Sequence, residues 1–219
     1  FFHDGTPVTA EDVKFSFDAI FDNKYQAAHR RPYYENLEKV EVVDGSTVKF
    51  YVKTPYFLNF ETAANHLFII PKHIYSDTEK SIKMNRELVG AGPYALNKLD
   101  RGQKLVLKKF DKWYGDQDSS LKNQYNFETI NMRFVKEENV ALEMLKKGEL
   151  DFGLLTAEQY AKRTDGAPFG KTVLKFKEKL KAPKGYGFIG WNLRLPLFQD
   201  KKVRFALYHL LNLREMIKK

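Results

Sequence analysis

The sequence predicts an α/β fold of mixed sheets with flanking helices, and three observations carry that prediction. Val13, Phe17, Ile20 and Phe21 recur at helical spacing behind Thr9, a residue able to cap a helix. Two runs rich in β-branched and aromatic residues flank Asp44-Gly45, a favoured two-residue hairpin turn. Farther on, residues 130–154 read as strand, helix and strand, a run whose length ordinarily folds as a right-handed parallel unit.

Taken in order, His3-Asp4-Gly5 signals a turn ahead of the first helix. Glu11 and Asp12 in its opening turn complement the positive end of the helix dipole, and the helix fades near Asp22-Asn23. The hairpin follows, with 37–43 as one strand and Val48, Phe50 and Val52 on one face of the other. Residues 56–66 predict a short helix introduced by Pro55; the apolar run 67–70 stops at Pro71, and 71–75 reads as a turn with a short helix. Gly90-Ala91-Gly92-Pro93 is the strongest breaker and the best boundary in the chain. Beyond it, strands over 94–99 and 104–110 meet at Arg101-Gly102, with Leu105 and Leu107 on one face and Val106 on the other. Residues 111–126 are polar and read as a long loop anchored by Trp113 and Tyr114. In the helix over 138–147, Val140, Leu142, Met144 and Leu145 are the expected core contacts, and Gly148 suits a left-handed exit. A short helix over 157–163, strands over 173–179 and 186–192, and an amphipathic helix over 200–218 with Val203, Leu207, Leu210 and Leu211 inward complete the chain.

Composition narrows the function classes. Of 219 residues, 43% are hydrophobic and 15% aromatic, enough for a sizeable core in one or two domains. The net charge of +9 can attract polyanions, but basic residues come singly or in pairs such as Arg30-Arg31 and Lys201-Lys202. The densest stretch, 171–184, interleaves Lys with Val173, Phe176 and Leu180, the pattern of a solvated strand face, so no nucleic-acid partner is expected. No cysteine is present, which excludes disulfides, thiolate metal sites and cysteine nucleophiles. No stretch approaches the roughly 20 apolar residues of a membrane span. The chain opens abruptly at Phe1-Phe2 without a basic-then-apolar leader, and its last helix stops at Lys218-Lys219 without a Gly or Pro. Both ends therefore read as internal to a longer polypeptide, with any signal peptide absent from this one.

Catalytic constellations are not evident. The five histidines (3, 29, 66, 73 and 209) have no metal-ligand spacing, and no serine sits in a Gly-x-Ser-x-Gly elbow. Gly185, Gly187 and Gly190 lie within or before a strand, which is not the strand-to-helix turn that cradles a dinucleotide phosphate. Glu137-Glu138 and Asp116/Asp118 read as a helix start and a loop rather than an acid–base pair, so no catalytic residue, metal or cofactor is expected. The abundant aromatics are core, with some available to line a cleft.

A resemblance goes further. The run Phe2-His3-Asp4-Gly5-Thr6-Pro7-Val8-Thr9-Ala10-Glu11-Asp12-Val13-Lys14-Phe15-Ser16-Phe17 closely resembles a signature of family 5 extracellular solute-binding proteins, which take up oligopeptides, dipeptides and nickel. Three more blocks agree in order. They are Phe68-Ile69-Ile70 into Pro71-Lys72-His73-Ile74-Tyr75; Gly90-Ala91-Gly92-Pro93-Tyr94 with Gly102-Gln103-Lys104-Leu105 and Trp113-Tyr114-Gly115; and Asn192-Leu193-Arg194, Pro196-Leu197-Phe198-Gln199-Asp200, Val203-Arg204-Phe205-Ala206-Leu207 and Asn212-Leu213-Arg214-Glu215. Within the family, Tyr125-Asn126-Phe127 and the 196–200 block look most like the branch that imports peptides and microcin C. Leu213 departs from the pattern, since the family usually has an acidic residue or Asn directly before Arg214.

The resemblance implies a fragment of a type II periplasmic-binding-protein fold, a two-lobed clamp with an added third domain. Residues 1–92 would be most of the extra domain, 93–190 part of the first lobe and 191–219 the truncated start of the second. It implies the substrate-binding component of an ABC importer, monomeric, periplasmic or extracellular and membrane-anchored, that delivers peptides or peptide conjugates to a permease. The crossover between lobes puts Phe188, Gly190, Trp191 and Asn192 at the cleft. Leu154, Leu155 and Thr156 form a second candidate at a strand end, and Tyr33 and Tyr34 a third. Two alternatives stand beside this reading: a ligand sensor for signalling on the same fold, and a hydrolase.

Overall fold

A computed structural model of the chain describes residues 1–83, 87–178, 188–212 and 214–215. It divides into two compact units, Phe1–Gly153 and Leu154–Lys219. The division falls within the 93–190 segment rather than at either end of it.

In the first unit, helix α1 (Ala10–Phe21) starts where the sequence predicts, after an extended Thr9. Its buried face presents Phe17 and Ile20 to the hairpin β1 (Leu37–Val42) and β2 (Val48–Val52). Tyr34, Leu37, Val40 and Leu67 complete that core, and Val13, Val48, Phe50, Ala63 and Ile69 lie against it. Each fully buried side chain of this size contributes about 1.5–3 kcal/mol. Phe21, expected in the stripe, is partly exposed because the helix ends there. The hairpin register pairs Val40 with Phe50 and Val42 with Val48. Its connection is longer than the expected two-residue turn: the Val43 amide donates to Thr47 O, and Asp44 accepts from the Ser46 amide. Gly45 is freed to accept from the Ala10 amide at 3.0 Å, tying the turn to the start of α1.

A short helix, α2 (Arg31–Tyr34), leads into the hairpin, and three more follow it: α3 (Asn59–Ala64), α4 (Lys72–Tyr75) and α5 (Thr78–Lys83). Strands β3 (Tyr94–Asp100), β4 (Lys104–Lys109) and β5 (Thr129–Arg133) then form an antiparallel sheet in the order β3-β4-β5. In the loop from β4 to β5, Trp113 is buried against Tyr125 at 4.8 Å between ring centroids, whereas Tyr114 is largely exposed, its ring tilted against Trp113 at 5.5 Å. Helix α6 (Glu138–Lys146) buries Leu142 and Leu145, and Gly148 exits it at φ +74°, as expected. Val140 is half exposed instead of inward.

The expected parallel strand–helix–strand unit over 130–154 does not form among the described residues. β5 pairs antiparallel with β4, and 150–154 has no ladder partner. A strand is defined by its neighbour's hydrogen bonds, which periodicity alone cannot supply.

In the second unit, α7 (Ala157–Lys162) is followed by α8 (Pro196–Gln199) and α9 (Lys201–His209). Residues 173–178 contribute one isolated bridge, Phe169 to Val173, in place of the expected strand. Residues 188–192 likewise take no strand, and 179–187, the rest of both expected strands, lie outside the described residues. Asp200 starts α9 by accepting from the Lys202 amide at 2.7 Å, but the helix stops at His209, leaving Leu210 exposed where an inward side chain was expected. Leu213 lies outside the described residues.

Candidate functional site

The first two blocks of the signature prove to be joined to each other. The buried Asp12 accepts from the Thr9 amide at 2.9 Å and hydroxyl at 2.8 Å, and from the Lys72 amide at 2.9 Å. One turn later, the Ser16 hydroxyl donates to Asp12 O and accepts from the Ile70 amide at 2.8 Å. At the surface, Lys72 pairs with Glu11 at 2.9 Å and His73 with Asp4 at 2.6 Å. Partial burial pulls the Asp4 carboxyl upward, but the Thr6 amide and the His73 ring outweigh that and hold it below its ordinary range. These polar residues are therefore spent on docking 70–73 against α1.

His3 joins the glycine-rich segment 90–92 in the same way. Its Nδ1 accepts from the Gly90 amide at 3.2 Å, so Nε2 carries the proton and donates to Gly92 O at 3.0 Å. Its ring meets Phe110 edge-on at 5.0 Å. A shallow, open depression of about 300 Å³ beside it is lined by His3, Asp4, Leu88, Val89, Leu96 and Lys98 among others, and none of the sequence-predicted site residues lines it. Asp4 and Lys98 there already hold His73 and Asp100. Among the described residues no group of three or more His, Cys, Asp or Glu is placed to hold a metal ion.

The predicted ligand residues fall in both units. Tyr33 is 77% exposed, whereas its neighbour Tyr34 is 1% exposed and donates its hydroxyl to His66 O. Tyr34 is thus a core residue with no surface to offer a ligand, which corrects that expectation. Leu154 is 87% exposed. Thr156 begins α7 through a reciprocal cap: its hydroxyl accepts from the Gln159 amide at 3.2 Å, and the Gln159 side chain accepts from the Thr156 amide at 3.1 Å. Leu155 is half-buried beside it. Phe188 is exposed, Trp191 lies tilted on Phe198 at 5.2 Å, and the Asn192 side chain accepts from the Arg194 amide at 3.1 Å to lead into α8. A side chain placed on Gly190 would meet the Phe188 ring at an ordinary 3.5 Å, so no neighbour among the described residues requires a glycine there.

One grouping escaped the sequence reading. Tyr160, on α7, carries the Lys175 ammonium 4.2 Å and the Lys177 ammonium 5.9 Å from its ring centroid. The i, i+2 spacing of the two lysines was the available signal, and it read as a solvated strand face. Nothing in the sequence named the ring they share.

Solved structures give the fold class. The chain matches NikZ of Campylobacter jejuni in complex with Ni(L-His) over 100% of its own length and 41% of that chain, with a TM-score of 0.74 at 21% identity. It matches the oligopeptide-binding protein AppA of Bacillus subtilis, solved with a nonapeptide, over 100% of its length and 42% of that chain, with a TM-score of 0.78 at 26% identity. The fold is that of type II periplasmic binding proteins. The chain belongs to the bacterial extracellular solute-binding proteins, family 5 (middle), whose model matches residues 1–219. Among curated relatives, AppA of Bacillus subtilis is 28% identical over 94% of this chain and 36% of its own length, and YejA of Escherichia coli K12 is 26% identical over 94% and 34%. The chain thus spans about a third of the length of these relatives.

Proposed function

We propose that the protein carrying this chain is the substrate-binding component of an ABC importer. It captures peptides or peptide conjugates outside the cytoplasm as a monomer, and passes them to a membrane permease without catalysing any reaction. Membership of family 5 along the entire chain carries the reading. The chain's likeness to an oligopeptide-binding protein solved with a nonapeptide supports the choice of ligand.

On this reading, residues 1–92 belong to the additional domain, 93–190 to the first lobe and 191–219 to the start of the second. Leu154, Leu155, Thr156, Phe188, Gly190, Trp191 and Asn192 contact the ligand, and Tyr33 contributes from the additional domain. Both candidate segments of the second unit lack ladder partners among the described residues; α7 takes both main-chain groups of Thr156, and Asn192 O accepts from the Leu195 amide, so the main chain of 154–155 and 189–191 suits pairing with a ligand backbone. Such pairing gives affinity without reading side chains, and water fills the remaining space. Lobe closure then follows from tighter binding to the closed state.

The test is mass spectrometry of whatever is released on denaturing the full-length protein purified from its own cell envelope. Short peptides or peptide conjugates are expected. Recovery of only a free sugar or a bare metal overturns the assignment.

A further inference from the structure

The positive charge of this chain is not evenly spread. Of its 37 basic and 28 acidic residues, fifteen and five lie in Leu154–Lys219, a net of +10. The remaining 22 and 23 lie in Phe1–Gly153, a net of −1. The chain's whole excess therefore sits in the unit that holds most of the candidate ligand residues.

Within that unit, the Tyr160 grouping concentrates the charge. Distances of 4.2 and 5.9 Å to one ring centroid place the two ammonium nitrogens no more than about 10 Å apart. That separation is comparable to the screening length of about 8 Å at physiological salt, so the two charges still repel. The ring offsets part of that repulsion, a cation over an aromatic face gaining roughly 0.5–1 kcal/mol at an exposed site. Local carboxylates do not supply the rest. Lys162 on the same helix pairs with Glu158 at 3.3 Å, but neither Lys175 nor Lys177 forms an ion pair among the described residues. Both come from 173–178, where alternation sends Lys175 and Lys177 to the Tyr160 side, while Leu174 and Phe176 stay exposed.

Position ties the grouping to the candidate ligand segment. Tyr160 donates its amide to Thr156 O at 2.9 Å, which sets it four residues, about 6 Å of helical rise, beyond Thr156. A ligand backbone paired along 154–155 has the two ammonium groups within reach of one of its side chains.

We propose that Lys175 and Lys177, gathered over Tyr160, form an anion-receiving subsite, and that the protein prefers peptides bearing a side-chain carboxylate. This rests on the peptide-binding reading above and adds a charge preference that the reading does not require. A carboxylate between the two ammonium groups relieves their repulsion and accepts charge-assisted hydrogen bonds from both. The wider field of the second unit steers acidic ligands toward it.

The experiment is calorimetric titration of the full-length protein with three pentapeptides, alanine throughout except for a central Glu, Gln or Lys. The Glu peptide is expected to bind about tenfold tighter than the Gln peptide, and the Lys peptide weakest. Raising NaCl from about 50 to about 500 mM shrinks the Glu-to-Gln ratio. The double variant Lys175→Gln/Lys177→Gln brings that ratio within about twofold, and Lys175→Glu/Lys177→Glu inverts the order in favour of the Lys peptide. Equal affinity for the Glu and Gln peptides in the parent protein overturns the charge preference and leaves the peptide-binding reading standing; no binding of any of the three overturns both. Retention on phosphatidylglycerol vesicles that the double Gln variant abolishes, with no peptide preference, assigns the two lysines to a lipid surface and overturns the subsite.

Discussion

Asp12 accepts three hydrogen bonds through two carboxylate oxygens, from the Thr9 amide, the Thr9 hydroxyl and the Lys72 amide, while only 5% exposed. Two of the donors are main-chain amides that lose this acceptor if the carboxylate is removed. An amide left buried without an acceptor costs about 1–3 kcal/mol, and loss of a helix cap typically costs about 1 kcal/mol. Asp12→Ala is therefore expected to lower stability by about 3 kcal/mol, and Asp12→Asn by less, because one oxygen remains to accept. Urea titration followed by circular dichroism measures both. An alanine variant within about 0.5 kcal/mol of the parent would show that water replaces the carboxylate at no cost. Neighbouring positions can differ as sharply as this one does from the surface: Tyr33 and Tyr34 are adjacent in a four-residue helix, yet one is exposed and the other is the largest fully buried side chain among the described residues. In so short a helix the sequence has no period with which to choose between them.

Helix α1 is held at its far end by a residue outside itself. Its last turn has no basic residue, and Arg31 fills that role, with Nε donating to Ile20 O at 2.9 Å and a terminal nitrogen to Phe21 O at 3.0 Å and to the Asn23 side chain at 2.8 Å. A charged donor on the last carbonyls both completes hydrogen bonds and opposes the negative end of the dipole. Arg31→Gln should cost about 1–2 kcal/mol and loosen the last turn of α1 first; hydrogen exchange that speeds up at 18–21 before 10–14 confirms it, and uniform acceleration along the helix refutes it. The start of α1 was legible from Thr9, Glu11 and Asp12 because a cap and its first turn are neighbours in sequence. The Arg31 contact was not, because it returns from a separate helix after two intervening turns. The same division explains the sheets. Hairpins β1–β2 and β3–β4 were read from turn residues between alternating runs, whereas 150–154, 173–178 and 188–192 had apolar content but no partner that sequence could name. The resemblance pointed to 188–192 and an expected strand end to 154–156, neither giving geometry, and the shared ring of Lys175 and Lys177 became visible only once α7 and 173–178 were placed.

Burial differs sharply between the two units. Among the described residues, thirteen of the 14 buried hydrophobic side chains lie in Phe1–Gly153, and Phe169 alone represents Leu154–Lys219. In the second unit Leu174, Phe176, Phe188, Leu197, Phe205 and Leu210 are all more than half exposed. Fixing a residue's backbone costs roughly 1–2 kcal/mol, and burial returns about 25 cal/mol per Å² of apolar surface. By that measure the first unit has a core that supports its helices and sheets, and the second shows none of comparable size among its described residues. A nine-residue helix such as α9 is too short to persist in water without a packed face. Exposed apolar surface of this extent ordinarily marks a covered interface, and relatives about three times as long have the chain to cover it. An isolated 1–219 polypeptide should consequently protect amides of α1, β1 and β2 from hydrogen exchange, while those of 196–209 exchange at the rate of an unstructured peptide and the chain binds a hydrophobic dye. In the full-length protein the 196–209 amides should become protected and the dye binding should disappear. If 196–209 is as protected as α1 in the isolated polypeptide, the second unit stabilises itself by means other than apolar burial, and its exposed leucines and phenylalanines need a different explanation.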